Sequence, residues 1–246
     1  MAERLRLGLA PETNMPLHSA CSEPNGQYEF DPWHGLSCVQ DKGVSITRRH
    51  DAIKHGLAQW ASRLGGQVRV EPRNLHVRYG GAKARRRRGQ RGRREAERKE
   101  RGDGKAKPFK PNADLLITGL GPVPILVDTT VRHARAPSLV VRCAGDEERV
   151  LKEAEAEKHR DYDGLAESIG AKFFAFAVES TGRLGKEALE LIRLLIKEGA
   201  RFKNVWQPKE VVQGIYRTVA IAIARGNADI IDENLRRARQ APWEAV

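Results

Sequence analysis

Cysteine and long apolar runs are both scarce in this chain. Three cysteines among 246 residues, an odd number at uneven spacing, exclude a disulfide framework and point to a reducing compartment. No apolar run approaches the roughly 20 residues that a membrane-spanning helix needs. The opening MAERLRLGLAPETN is too polar for a secretory signal peptide, so the expected location is intracellular, nucleus or cytoplasm. An internal repeat is also lacking, which sets solenoid architectures aside.

What is present is 40% hydrophobic and 31% charged residues, the balance of a globular protein with a real core. The length suits one large domain or one domain with appendages. The net charge is +12, from 44 Lys and Arg against 32 Asp and Glu. Nearly all of that excess lies in one place: from Lys83 to Lys110, 14 basic residues face 4 acidic ones. Such a segment, KARRRRGQRGRREAERKERGDGKAKPFK, has too few apolar side chains to form a core and reads as a disordered insertion over 81–111. Its arginines Arg85, Arg86, Arg87, Arg88, Arg91, Arg93 and Arg94 are candidate phosphate contacts, with Arg49 further back. A solvated loop or a nuclear-import tag are the plainer alternatives.

The hydrophobic pattern predicts an α/β protein. Ile53, Leu57, Trp60, Ala61 and Leu64 recur at helical spacing, so 46–64 reads as an amphipathic helix stopped by Gly65 and Gly66. QVRVE alternates like a strand, NLHVRY (74–79) is a second candidate, and ADLLIT and PILVDTTV are two more around a Gly/Pro turn. A helix over 147–169 follows, then the continuous apolar run KFFAFAV (172–178), as in a strand buried on both faces. Three further helices are expected over 184–198, 208–225 and 229–239. This order implies a mixed sheet flanked by helices, with residues 1–17 unstructured, a core over 44–200 and a helical tail over 201–246.

Two acids stand where strand chemistry disfavours them. Asp128 sits inside an apolar strand, and Asp114 heads the strand before it. Burying either ionised carboxylate needs compensation. If the strands are neighbours the acids converge at one edge of the sheet, and hard oxygen ligands of this kind suit Mg²⁺ or Mn²⁺. Glu71, ending the first strand, could join them. On the following helix the apolar stripe Leu151, Ala154, Tyr162, Leu165, Ile169 also contains Lys158, and an inward lysine needs a carboxylate, a phosphate or a wet cleft. Together these residues fit a metal-dependent phosphodiesterase centre. The plainer alternative is a buried Asp–Lys ion pair with Asp114 as a turn or cap residue.

A further group precedes the first helix. His18, Cys21, His34 and Cys38 have the spacing H-x2-C-x12-H-x3-C, which a tetrahedral structural zinc site over 18–43 tolerates. Four ordinary loop residues is the other possibility.

The ordered motifs HGLSC, RRHDAI, VEP, ADLL, VDTTV, AEAEKHRDY, FFAFAVESTG and IARGNA, spanning about 18–228, resemble the restriction-like endonuclease domain of the PD-(D/E)XK superfamily. The branch in question lies downstream of reverse transcriptase in LINE-type and related retroelements. The resemblance implies Asp114 and Asp128 as metal ligands, Lys158 as catalytic lysine, Glu71 as auxiliary acid, Tyr162 beside the site, and a zinc knuckle at the N-terminal side. It implies DNA, and optionally element RNA, as partner, with a reverse transcriptase supplied in trans. Three positions depart from the pattern: Ala113 replaces the proline before the first Asp, Thr130 stands where restriction enzymes keep a lysine, and His18 replaces the first knuckle cysteine. The function expected is a metal-dependent DNA endonuclease that nicks a strand. The alternatives are a nucleic-acid-binding remnant of the same fold that no longer cuts, and a globular protein whose basic loop serves only for nuclear import.

Overall fold

The structure is a computed structural model that describes residues 36, 44–73, 75, 113–134, 146, 148–199 and 207–240. Its elements run α1 (Val44–Arg63), β1 (Gln67–Val70), β2 (Leu115–Thr118), β3 (Ile125–Arg132), α2 (Arg149–Ile169), β4 (Lys172–Glu179), α3 (Lys186–Gly199) and α4 (Pro208–Gln240). The four strands form one mixed sheet in the order β1-β2-β3-β4, with β1-β2-β3 antiparallel and β3-β4 parallel. The coarse α/β expectation holds.

Alternation along the strands sorts the core into two layers. Leu115, Ile117, Ile125, Val127, Phe174, Phe176 and Val178 face one side, where Ile53, Leu57, Trp60 and Leu64 of α1 pack with α3 and α4. Leu116, Leu126, Phe173, Ala175 and Ala177 face the other, where α2 lays down Leu151, Ala154, Tyr162 and Leu165. The sheet is thus sandwiched between helices, and β4 is buried on both faces, as its continuous apolar run predicts. Removing a side chain such as Phe176 from this middle layer would cost about 3–5 kcal/mol.

Glycines set two of the boundaries. Gly65 (φ 96) ends α1 in a conformation that L side chains rarely adopt. Gly170 (φ 65) does the same for α2, its N–H capping the carbonyls of Ala166 and Glu167.

Two expectations change. The two C-terminal helices are one: α4 runs unbroken from Pro208 to Gln240. The expected gap falls at Gly226-Asn227, where the Arg49 stem crosses α4 and leaves no room for a Cβ on Gly226. Asn227 spends its amide on Arg49 and Ser180 instead of competing for the helix backbone. The second change concerns the strand expected over 74–79, of which only Leu75 is described; it is helical and buried.

Candidate functional site

The acid pair comes from the ladder between β2 and β3. Leu115 stands opposite Val127 and Leu116 opposite Leu126. The same register carried one step further sets Asp114 opposite Asp128. The pair therefore lies between the two central strands, where β2 begins, and not at an outer edge of the sheet. Both residues are buried, at 8% and 4% exposure.

Their surroundings differ. Asp114 Oδ2 accepts the main-chain N–H of Thr129 at 2.6 Å, so its carboxylate continues the ladder past the last main-chain pair. His50 Nε2 approaches the same oxygen at 3.1 Å. Burial pushes the Asp114 carboxyl up, but the hydrogen bonds from His50 and Thr129 and the imidazolium charge outweigh it and hold the pKa below the usual carboxylate value. The partnership is mutual: hydrogen bonding to Asp114 raises the His50 pKa against the opposing effect of burial.

Asp128 shares its face with Leu126 and Thr130 and looks toward α2. Lys158 Nζ lies 2.7 Å from Asp128 Oδ2. The contact is an ion pair. Tyr162, one turn beyond Lys158, hydrogen-bonds Asp128 and stacks on Phe173 with ring centroids 5.3 Å apart. Burial, with the Asp114 charge behind it, raises the Asp128 pKa more than Lys158 and Tyr162 lower it. Tyr162 in turn is held protonated by burial and the Asp128 charge.

A third acid at the end of β1 touches Asp114 through its main chain. Glu71 is the one non-glycine residue at positive φ (46°) among the described residues. Its N–H donates to the Asp114 carbonyl at 2.7 Å, which anchors the start of β2. Its carboxylate is bound by Lys54 of α1, whose Nζ reaches Glu71 Oε1 at 2.6 Å and Asp51 Oδ1 at 2.7 Å. Each acid of the site thus has its own base: Lys54 for Glu71, His50 for Asp114 and Lys158 for Asp128.

The sequence reading misses two members of this set. His50 has no ligand spacing, and its role depends on a strand 79 residues away in the chain. Lys54 could have been found, because Leu57 and Ala61 lie three and seven residues beyond it on the same stripe. That is the test that singles out Lys158.

Arg49 is not on the surface. At 4% exposure its guanidinium donates to Asn227 Oδ1 at 2.7 Å, tying α1 to α4, and burial lowers its pKa to about 10. It is a structural link rather than a phosphate contact. His18, Cys21, His34 and Cys38 lie outside the described residues, as do Arg85, Arg86, Arg87, Arg88, Arg91, Arg93 and Arg94.

Chemically, Asp114 and Asp128 are two hard-oxygen donors with an ammonium beside them. Among the described residues no three or more His, Cys, Asp or Glu converge as a group to hold a metal ion. A two-carboxylate set still suits Mg²⁺, which ordinarily keeps several waters and binds through one or two carboxylates plus substrate phosphate. The sequence matches no protein-family model and no curated protein.

Proposed function

We propose that this chain is a metal-dependent DNA endonuclease of the PD-(D/E)XK type. The observation that carries the reading is the convergence of three groups: Asp114 opposite Asp128, with the Lys158 ammonium 2.7 Å from Asp128. The sequence singles out the same three residues on different grounds, burial cost for the acids and helical phase for the lysine.

Asp114 and Asp128 would hold the divalent ion. When bound, the ion polarises the scissile phosphate and lowers the pKa of water at the site. The protein's own groups do the rest. His50 and the Thr129 N–H keep Asp114 ionised and fixed in direction. Tyr162 remains a hydrogen-bond donor to Asp128 and orients it. Lys158, 2.7 Å from Asp128, is placed to donate to a phosphate oxygen as negative charge develops there. Its side chain is partly open to solvent, so a phosphate can reach it. The Arg-rich segment ends at Lys110, four residues before Asp114 in the chain. Counterion release would then supply a strongly salt-dependent affinity for DNA.

Supercoiled plasmid with Mg²⁺ or Mn²⁺ tests the reading. Wild-type protein should convert it to the nicked form, and Lys158→Met should stop nicking while leaving DNA binding in place. Steeply salt-dependent binding with no nicking by the wild type would support the non-cutting nucleic-acid-binding alternative. Absence of both would remove nucleic acid from the account.

A further inference from the structure

Away from the acid pair, α1 and α4 enclose an open groove of about 480 Å³. The helices touch along its floor, where Gly226 meets Arg49 and Gly56 meets Thr218 with no space for a Cβ. Arg48 on one wall and Arg225 on the other are the chain neighbours of the Arg49–Gly226 contact, so both start where the two backbones are closest. His55 stands two turns from Arg48 on the same wall, a rise of about 10 Å. Asp229 is the one carboxylate among the described residues that line the groove, against three arginines.

This charge lacks an internal partner. Arg48 and Arg225 are exposed and make no ion pair or side-chain hydrogen bond among the described residues. Arg49, behind them, is buried and donates to the neutral Asn227 amide, while its Nε has no hydrogen-bond partner. Burial alone acts on its pKa, with no carboxylate offsetting it. A buried guanidinium without a counter-ion is costly, and its field adds to the positive potential of the cleft it lines.

We propose that the α1–α4 groove binds the phosphate backbone of a DNA strand, with Arg48 and Arg225 as direct contacts and Arg49 as a fixed charge behind them. This site presupposes the DNA reading above. Guanidinium forks match phosphate oxygens bidentately. The wall from Arg48 to His55 spans about three base steps of one strand, each roughly 3.4 Å, so it suits a run of phosphates better than a single ion. His50, two residues beyond Arg48, points round the other side of α1 to Asp114. Groove and catalytic centre are therefore distinct surfaces of one helix.

Fluorescence anisotropy of the full chain with a labelled DNA duplex, repeated across a salt series, tests this beside plasmid nicking. Arg48→Gln/Arg225→Gln should weaken binding by at least about tenfold near 0.1 M salt and reduce the slope of log K against log salt by about 2, the share of two phosphate contacts. Arg193→Gln/Lys197→Gln, which removes two exposed charges from α3, should bind like wild type. An equal loss in both double variants, or none in either, would overturn the proposal; wild-type binding and nicking would still leave the endonuclease reading standing. No binding by the wild type would remove the DNA reading itself, and the groove proposal with it. Labelled poly-glutamate should bind wild type and the groove variant alike, and a loss as large as that for DNA would make the groove an acidic-peptide site and overturn the proposal. Should the groove variant fail to fold by circular dichroism, Asp229→Asn decides: duplex binding tightened by roughly threefold supports the proposal, and unchanged or weaker binding overturns it.

Discussion

Asp114 and Asp128 adjoin the last β2–β3 pair, Leu115 with Val127, yet their carboxyls are pushed in opposite directions, Asp114 below and Asp128 above the usual carboxylate pKa. Both are buried, so desolvation does not distinguish them. Asp114 receives a main-chain donor and an imidazole, whereas Asp128 relies on an ion pair and a phenol while feeling the Asp114 charge. Two like charges at close range resolve themselves this way: one site becomes the stable anion and the other the reluctant one.

This asymmetry predicts opposite stability effects. Asp128 is raised in the folded state, so between the ordinary value of 3.8 and its elevated one the folded chain binds the extra proton, and stability falls as pH rises through that window. Asp128→Asn, neutral at every pH, should therefore be as stable as wild type or more so at pH 7 by urea denaturation, and if the proposed nicking is observed it should fall by at least about 100-fold in this variant. A clear loss of stability in that variant would make Asp128 an ordinary structural anion.

Asp114 behaves the other way. Its lowered pKa contributes stability that is present above the ordinary value and lost as pH falls through the folded one. Asp114→Ala also orphans the Thr129 N–H, and should cost about 1–3 kcal/mol at neutral pH. Thermal unfolding from pH 7 down to pH 3 should show the wild type converging on this variant.

His50 adds a second window. Its pKa is raised above 6.5, so its contribution is complete below 6.5 and is lost as pH rises through the folded value. His159, paired with Asp163 and Glu187 at 2.7 Å each, is raised as well and acts in the same direction. Stability should therefore decline from pH 6 to pH 8, and His50→Gln should flatten part of that decline without abolishing it. A decline unaltered by His50→Gln would show that His50 does not titrate against Asp114.

Arg49 and Gly214 test the packing of α1 against α4. Arg49→Met should destabilise the fold by about 1–3 kcal/mol through loss of the buried Asn227 bond. Gly214→Ala gains about 1 kcal/mol in helix propensity, but its Cβ would overlap the Trp60 ring, whose Nε1 is fixed on Thr218 Oγ1 at 3.1 Å. Overpacking costs about 1–3 kcal/mol, so the net change should be destabilising. Denaturation midpoints of the two variants decide both points.

Much of this was written locally in the chain. Period-2 and helical patterns place β2, β3, β4, α1 and α2 within a few residues, because burial on one face leaves its mark at fixed spacing. The short Gly/Pro turn between β2 and β3 makes them neighbours, and neighbouring antiparallel strands of that register bring Asp114 to Asp128. Lys158 follows from helical phase alone.

What only the tertiary structure decided is which base serves which acid. His50 and Lys54 come from a helix whose position over the β1–β2 end depends on packing with α4, through Arg49, Trp60 and Thr218. Helical spacing shows that a residue faces inward, but its partner is set by how layers stack, and no local pattern encodes that. The same holds for the continuity of α4 through Gly226 and Asn227, where a contact 178 residues away in the chain spans the expected gap.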